Sequence, residues 1–204
     1  MITVDEISVA DPADAWRRAG FTVDADDVCR VGGVRIRLAG PGSGITGWAL
    51  RGARGPELDG IATTVSDAPV AEPAEHANGV VAIDHVVVLS PDLARTVASF
   101  GAAGAEPRRE RDTELGGRPM RQIFFRFGEV IVEVVGAPDV AGDGPSSLWG
   151  ITYVVADIDA TAAYFADRTA PVKAAVQSGR RITTLRHRDL GMSVRTAMIS
   201  APIL

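Results

Sequence analysis

His85 is expected to open an otherwise apolar strand in the stretch AIDHVVVLSPDL, and Glu133 interrupts a run of valines in VIVEVV. An imidazole can ligate a metal, shuttle a proton or simply hydrogen-bond. Here the bland role is a bond to a backbone carbonyl or to the adjacent Asp84. A bare carboxylate among valines costs several kcal/mol, roughly, unless it finds a partner. For Glu133 that partner is a metal ion, His85, water, or an arginine of the preceding strand such as Arg121 or Arg126. The other histidines offer less: His76 lies in a proline-rich stretch where a solvated loop residue is expected, and His187 ends the strand RRITTLRH. The third chemical feature is cationic. From Val172 onward Lys173, Arg180, Arg181, Arg186, Arg188 and Arg195 face one acid, Asp189, although the whole chain carries a formal net charge of -5. Forked guanidinium donors suit carboxylate or phosphate, while a charged sheet edge would serve solubility alone.

Other chemistries lack their residues. The sequence holds no GxSxG, P-loop or CxxC, and GPGSG at 40–44 opens no helix. The lone cysteine, Cys29, cannot form an internal disulfide, and MITVDE lacks the basic and apolar regions of a secretory signal. A cytoplasmic protein is therefore expected. No run of about 18 apolar residues occurs, so no membrane span is expected. The acidic balance argues against nucleic acid, which needs a basic face, and favours a small-molecule ligand. Trp16, Trp48 and Trp149 are read as core by default, with Trp149 also able to floor or cover a cavity.

The elements that must position these residues repeat. The clearest copy runs from a strand at His85–Leu89 through a helix start at Ser90-Pro91-Asp92. Leu93, Val97 and Phe100 then form one buried stripe. A strand within 106–114, a Gly116-Gly117 turn, and strands Arg121–Phe127 and Val130–Val135 complete a βαβββ order. A second copy has strand Ile151–Val155, a helix start at Asp157, the stripe Ile158, Ala162 and Phe165, and strands near Val172–Gln177, Arg181–Arg186 and Ser193–Ile199. A shorter third copy spans Ile2–Val9, a helix striped by Pro12, Trp16 and Ala19, and strands Asp27–Val31 and Val34–Leu38. Residues 44–79 read as a cut-down fourth copy without its helix, with strands Ile45–Leu50 and Ile61–Val65. DAPVAEPAEHANG has linker composition, which sets expected boundaries at 1–66, 67–79 and 80–204.

DHVVVLSPDLARTVASF with GEVIVEVVGAP, and WGITYVVADIDATAAYF with MSVRTAMISAP, resemble the vicinal oxygen chelate superfamily of glyoxalases, bleomycin-resistance proteins and ring-cleaving dioxygenases. The resemblance implies an α+β fold in which paired βαβββ modules curve into an open barrel around a small-molecule cup, here with a reduced second pair. It also implies one divalent ion (Zn, Ni, Mn or Fe) held by a first-strand and a last-strand residue of each module, and homodimer formation. His85 and Glu133 stand at the metal positions of the first module. The second module departs from the pattern. Gly150 precedes Asp157 as His85 precedes Asp92, and Ala197 stands opposite Glu133; the N-terminal copy has Val4 and Arg37 there. If Ala197 faces the cup, Arg195 does too, with Arg181 approaching from the neighbouring strand; both are expected to bind an anionic ligand. No catalytic residue is assigned. The expected functions are metal-assisted lyase, isomerase or dioxygenase chemistry, or non-catalytic sequestration of an organic ligand.

Overall fold

The computed structural model describes residues 1–202. Its N-terminal part comprises β1 (Thr3–Val9), α1 (Ala13–Arg18), β2 (Val28–Val31), β3 (Val34–Leu38), β4 (Ile45–Arg51), β5 (Glu57–Leu58) and β6 (Ile61–Val65). There follow β7 (Val80–Leu89), α2 (Leu93–Ala102), β8 (Arg109–Leu115), β9 (Arg118–Phe127) and β10 (Val130–Gly136). The last module contains β11 (Ser147–Val155), α3 (Ile158–Phe165), β12 (Lys173–Ala174), β13 (Arg181–Thr184) and β14 (Arg195–Ser200).

The strands form two sheets, ordered β2-β3-β1-β4-β6-β5 and β12-β13-β14-β11-β7-β10-β9-β8. In the larger sheet each module pairs its first strand parallel to its last, β7 with β10 and β11 with β14, and the two modules meet along antiparallel β7 and β11. The smaller sheet repeats this centre: β1 runs parallel to β3, β4 parallel to β6, and β1 antiparallel to β4. The fold is α+β, built from repeated βαβββ modules with a reduced second pair. A crossover helix is present after β1, β7 and β11 and missing between β4 and β6, where only β5 intervenes.

Alternation in the strands sends one face to the core and leaves the other to the cup. Val130, Val132 and Val134 of β10 are buried, while Ile131, Glu133 and Val135 are half-buried. The helices are set by their caps: Asp92 accepts from the Arg95 amide at 3.0 Å, and Asp157 accepts from those of Asp159 and Ala160. Each buried stripe keeps the two ends expected of it and differs only in the middle, where Thr96 replaces Val97 and Thr161 replaces Ala162. Leu93, Thr96 and Phe100 are buried in α2, and Ile158, Thr161 and Phe165 in α3. A threonine is tolerated there because its hydroxyl has a partner: Thr96 donates to Asp59 at 2.5 Å and Thr161 to the Asn78 carbonyl at 2.9 Å.

The chain between β6 and β7 has no regular element, but it is not free in solvent. His76 is buried, accepts from the Thr22 amide at 3.0 Å and lies 3.1 Å from the Arg30 carbonyl. Burial, with the nearby Arg30 charge, holds this imidazole below its ordinary pKa. The solvated loop histidine expected from composition is thus a packed structural one. Asp11, 1% exposed, accepts from Trp16 Nε1 at 3.0 Å and from the Ser193 amide at 2.9 Å, tying the first helix to the last module. Asp11→Ala is expected to cost about 3 kcal/mol by orphaning those donors. Urea unfolding checks this, and a loss below about 1 kcal/mol would mean the donors find other acceptors.

Candidate functional site

β7 and β10 lie side by side with Ile131 opposite His85 and Glu133 opposite Val87. Both chemical side chains leave the core-facing row, since Val86 and Val88 are 0% exposed, as are Val132 and Val134. His85 Nε2 and Glu133 Oε2 are 3.6 Å apart, and both side chains are mostly shielded from solvent. The two residues, 48 positions apart in sequence, thus share one hollow.

Each is held from behind. On the β7–β11 pairing, Thr152 faces His85 and Tyr153 faces Ile83, which leaves Asp84 as the extra residue of a bulge. A bulge re-aims side chains, and this one lets neighbouring residues meet: His85 Nδ1 lies 2.8 Å from Asp84 Oδ2. Asp84 in turn accepts from Arg180 Nη1 at 2.6 Å, and Arg180 Nε donates to the Ser200 carbonyl at 2.8 Å. Burial alone would raise the Asp84 pKa, but the His85 and Arg180 hydrogen bonds and charges outweigh it and hold the carboxyl below its ordinary value. On the other side Glu133 Oε1 accepts from the Gln122 amide, whose oxygen accepts from Arg111 Nε at 2.8 Å. A chain of polar contacts therefore runs Arg180, Asp84, His85, Glu133, Gln122, Arg111. Neither arginine considered as a partner for Glu133 reaches it: Arg121 pairs with Asp112 and Arg126 with Glu129.

Gln122 and Arg111 carried no signal as isolated residues. The alternation in RQIFFRF was the available clue, because Ile123, Phe125 and Phe127 are buried and so put Gln122, Phe124 and Arg126 on the cup face.

Two cavities of about 630 Å³ each open on this face. One holds His85, Glu133, Gln122 and Phe124 and is rimmed by Arg108, Arg109, Arg111, Arg126 and Lys173. The other lies over β11 and β14 and contains Arg195, Trp149, Gly150, Thr152 and Ala197. Arg195 and Ala197 do share a face, but Arg195 reaches the second lobe and stacks on Trp149, its Cζ 4.7 Å from the ring centroid. Trp149 is 41% exposed, not a core residue, whereas Trp16 and Trp48 are 0% and 2% exposed.

The placement expected for Arg181 is corrected. Ile182 and Thr184 line the cavities, so alternation turns Arg181 to the helix side, where it pairs with Asp159 of α3 at 2.9 and 2.7 Å. His187 sits in the second lobe with Nδ1 3.4 Å from the Leu185 carbonyl. Burial, with the charges of Arg188 and Arg195, pushes its pKa down.

A metal site needs several donors converging. His85 Nε2 and Glu133 Oε2 fit as two of them: donors each about 2.0–2.2 Å from one ion stand roughly 3–4 Å from each other. Their other atoms are fixed by Asp84 and Gln122, as ligating histidines and carboxylates usually are. The matching positions of the second module, Gly150 and Ala197, supply none, and the described residues contain no cluster of three or more potential ligands. The donor set is half of a full one.

Residues 84–184 match the family described as Glyoxalase/Bleomycin resistance protein/Dioxygenase superfamily. Residues 84–184 thus belong to the vicinal oxygen chelate superfamily. Solved structures of similar fold include a mutant of 4-hydroxymandelate synthase from Streptomyces coelicolor, with TM-score 0.64, 16% identity, and coverage of 99% of this chain and 94% of that one. Catechol 2,3-dioxygenase aligns with TM-score 0.59 and 12% identity over 98% of this chain and 88% of that one. A variant of homoprotocatechuate 2,3-dioxygenase from B. fuscum gives 0.58 and 14% over 98% and 70%. At these identities the likeness is one of fold, which superfamily members use for different chemistries. No curated protein sequence matches the chain. Among the described residues no helix is long and apolar enough to cross a membrane.

Proposed function

We propose that this superfamily member binds a small organic anion in its cup and that His85 and Glu133 form the reactive centre there, holding one divalent ion such as Zn, Ni, Mn or Fe. The observation that carries the reading is the pair itself: Nε2 and Oε2 lie 3.6 Å apart in a cavity, while Nδ1 and Oε1 are already engaged by Asp84 and Gln122. Asp84 fixes the imidazole so that Nε2 is the ring atom presented to the cavity, and Gln122 fixes the carboxylate plane. The ion would supply Lewis-acid stabilisation of negative charge developing on a carbonyl or enolate oxygen, the chemistry that lyase, isomerase and dioxygenase reactions share. The preference for an anion rests on the rim, where Arg108, Arg109, Arg111, Arg126 and Lys173 stand against Glu133 as the one lining acid. Such a rim raises the local concentration of an anionic ligand.

With two protein donors the ion is held weakly and exchangeably. Protein equilibrated with micromolar Zn2+ or Mn2+ is expected to retain about one ion per chain, and His85→Ala and Glu133→Ala to retain none while still folded. Equal retention by wild type and both variants would refute the centre. Gly150 and Ala197 at the matching positions of the second module favour a second reading, sequestration without catalysis. A wild-type protein that retains no ion yet binds an organic anion selects that alternative. The cytoplasmic location and homodimer expected for such a protein belong to this proposal and are not needed by the chemistry of the cup.

A further inference from the structure

The half of the concave face without a donor pair is built differently. Gly150 stands where the repeat would place a second His85, and a Cβ there would lie 2.8 Å from the Arg195 carbonyl oxygen. β11 thus runs against β14 too closely for any side chain at that position, and the floor of the lobe, continued by Ala197, is bare. The residue before it is the extra member of a second bulge, because Leu148 faces Val88 and Gly150 faces Val87, leaving Trp149 unpaired. This bulge turns a large indole out of the core and into the cavity, where Arg195 covers it. Arg186 and Arg188 line the same cavity against one acid, Asp189. Among the described residues none of these three arginines forms an ion pair, unlike Arg35, Arg37, Arg95, Arg121 and Arg180 elsewhere in the protein.

We propose that this lobe is a recognition subsite for a planar organic anion, an aromatic carboxylate, whose ring stacks on the Trp149–Arg195 pair and whose carboxylate meets the guanidinium groups. The proposal rests on reading the concave face as a ligand cup and is independent of an ion at His85. The indole and the guanidinium form a flat, apolar-and-cationic platform already assembled before the ligand arrives. The bare floor left by Gly150 and Ala197 gives a ring room to lie against the sheet. Fixed forked donors match a carboxylate and no uncharged isostere. The lining carries a formal +2, three arginines less one aspartate, in a chain of net charge -5, so the local field selects anions against the overall repulsion.

The test uses 1-naphthoate as probe, followed on the indole N–H resonance of Trp149, which is assigned by its loss in Trp149→Phe. The expected result is a saturable shift of that resonance. Binding should weaken about ten- to hundredfold in Arg195→Gln and to a similar degree for uncharged 1-naphthamide, with acetate producing no shift. His85→Ala should bind naphthoate as wild type does. An unmoved Trp149 resonance, equal binding of acid and amide, or full affinity in a folded Arg195→Gln protein each overturns the subsite. So does loss of binding in a folded His85→Ala protein, which would place the anion at the other centre. Failure of ion retention with naphthoate binding intact would sink the metal reading alone.

Discussion

Asp59→Ala is expected to lower the free energy of unfolding by about 1–3 kcal/mol, a large part of the roughly 5–15 kcal/mol that holds an ordinary domain together. Asp59 is 7% exposed and accepts from Arg95 Nε at 2.5 Å, Thr96 Oγ1 at 2.5 Å and Ser146 Oγ at 2.7 Å. It thereby joins the loop of the reduced module pair to α2 and to the entry of β11. Removing the carboxylate takes a charged acceptor from two buried hydroxyls and from Arg95 Nε, although Thr96 keeps the Asp92 carbonyl and Arg95 the carbonyls of Gly142 and Gly144. Asp59 also sits at φ 52, a positive value that Asn tolerates better than Ala. Asp59→Asn should therefore cost visibly less, and equal losses in guanidinium unfolding would show that the charge-assisted network contributes nothing. The pH dependence has a definite sign. Burial alone would raise the Asp59 pKa, but the hydrogen bonds from Arg95, Ser146 and Thr96 hold it below the ordinary value. A depressed carboxylate stabilises fully above its unfolded pKa of about 3.9 and loses that contribution as pH falls through the folded value. Asp59→Asn should flatten that acid limb.

Asp84→Ala is expected to cost more, about 3–5 kcal/mol, because it strands the buried Arg180 guanidinium. Arg180 is 9% exposed, its Nη1 donates to Asp84, and its Nη2 is buried with no partner. The carboxylate is thus its one close counter-charge among the described residues. Replacing both members should behave otherwise, since a buried pair exchanged for apolar groups is often neutral. Asp84→Ala combined with Arg180→Met should recover much of the stability in chemical unfolding, although it frees the His85 ring. Additive losses in the double variant would contradict the pairing. The combination also separates stability from function, because a folded double variant should still lose ion retention once Nδ1 is no longer held.

The strands and helices of the two C-terminal modules were readable because period-two alternation and the Asp92 and Asp157 caps are local properties of the chain. The family resemblance implied that His85 and Glu133 stand on the first and last strands of one module, and the parallel pairing of β7 and β10 brings those strands side by side. Bulges were not readable. An extra residue at Asp84 or Trp149 leaves composition and spacing unchanged, yet decides that Asp84 meets the His85 ring and that Trp149 faces a cavity. Arg181 takes the helix side for a related reason: nearness of β13 to β14 says nothing about which face a residue takes, and Ile182 and Thr184 hold the cup face. His76 is buried through the Thr22 amide and Arg30 carbonyl, tertiary partners that linker composition cannot reveal. Only the middle of each helix stripe falls on a threonine, Thr96 or Thr161, because its hydroxyl meets a partner remote in sequence.

The most direct test of the His85–Glu133 centre is anomalous diffraction at the zinc edge from crystals of the protein grown with Zn2+. One zinc peak about 2.0–2.2 Å from both His85 Nε2 and Glu133 Oε2, with Nδ1 still on Asp84, is the predicted result. Zinc bound only elsewhere, or His85 and Glu133 bonded to each other with no ion between them, would contradict it.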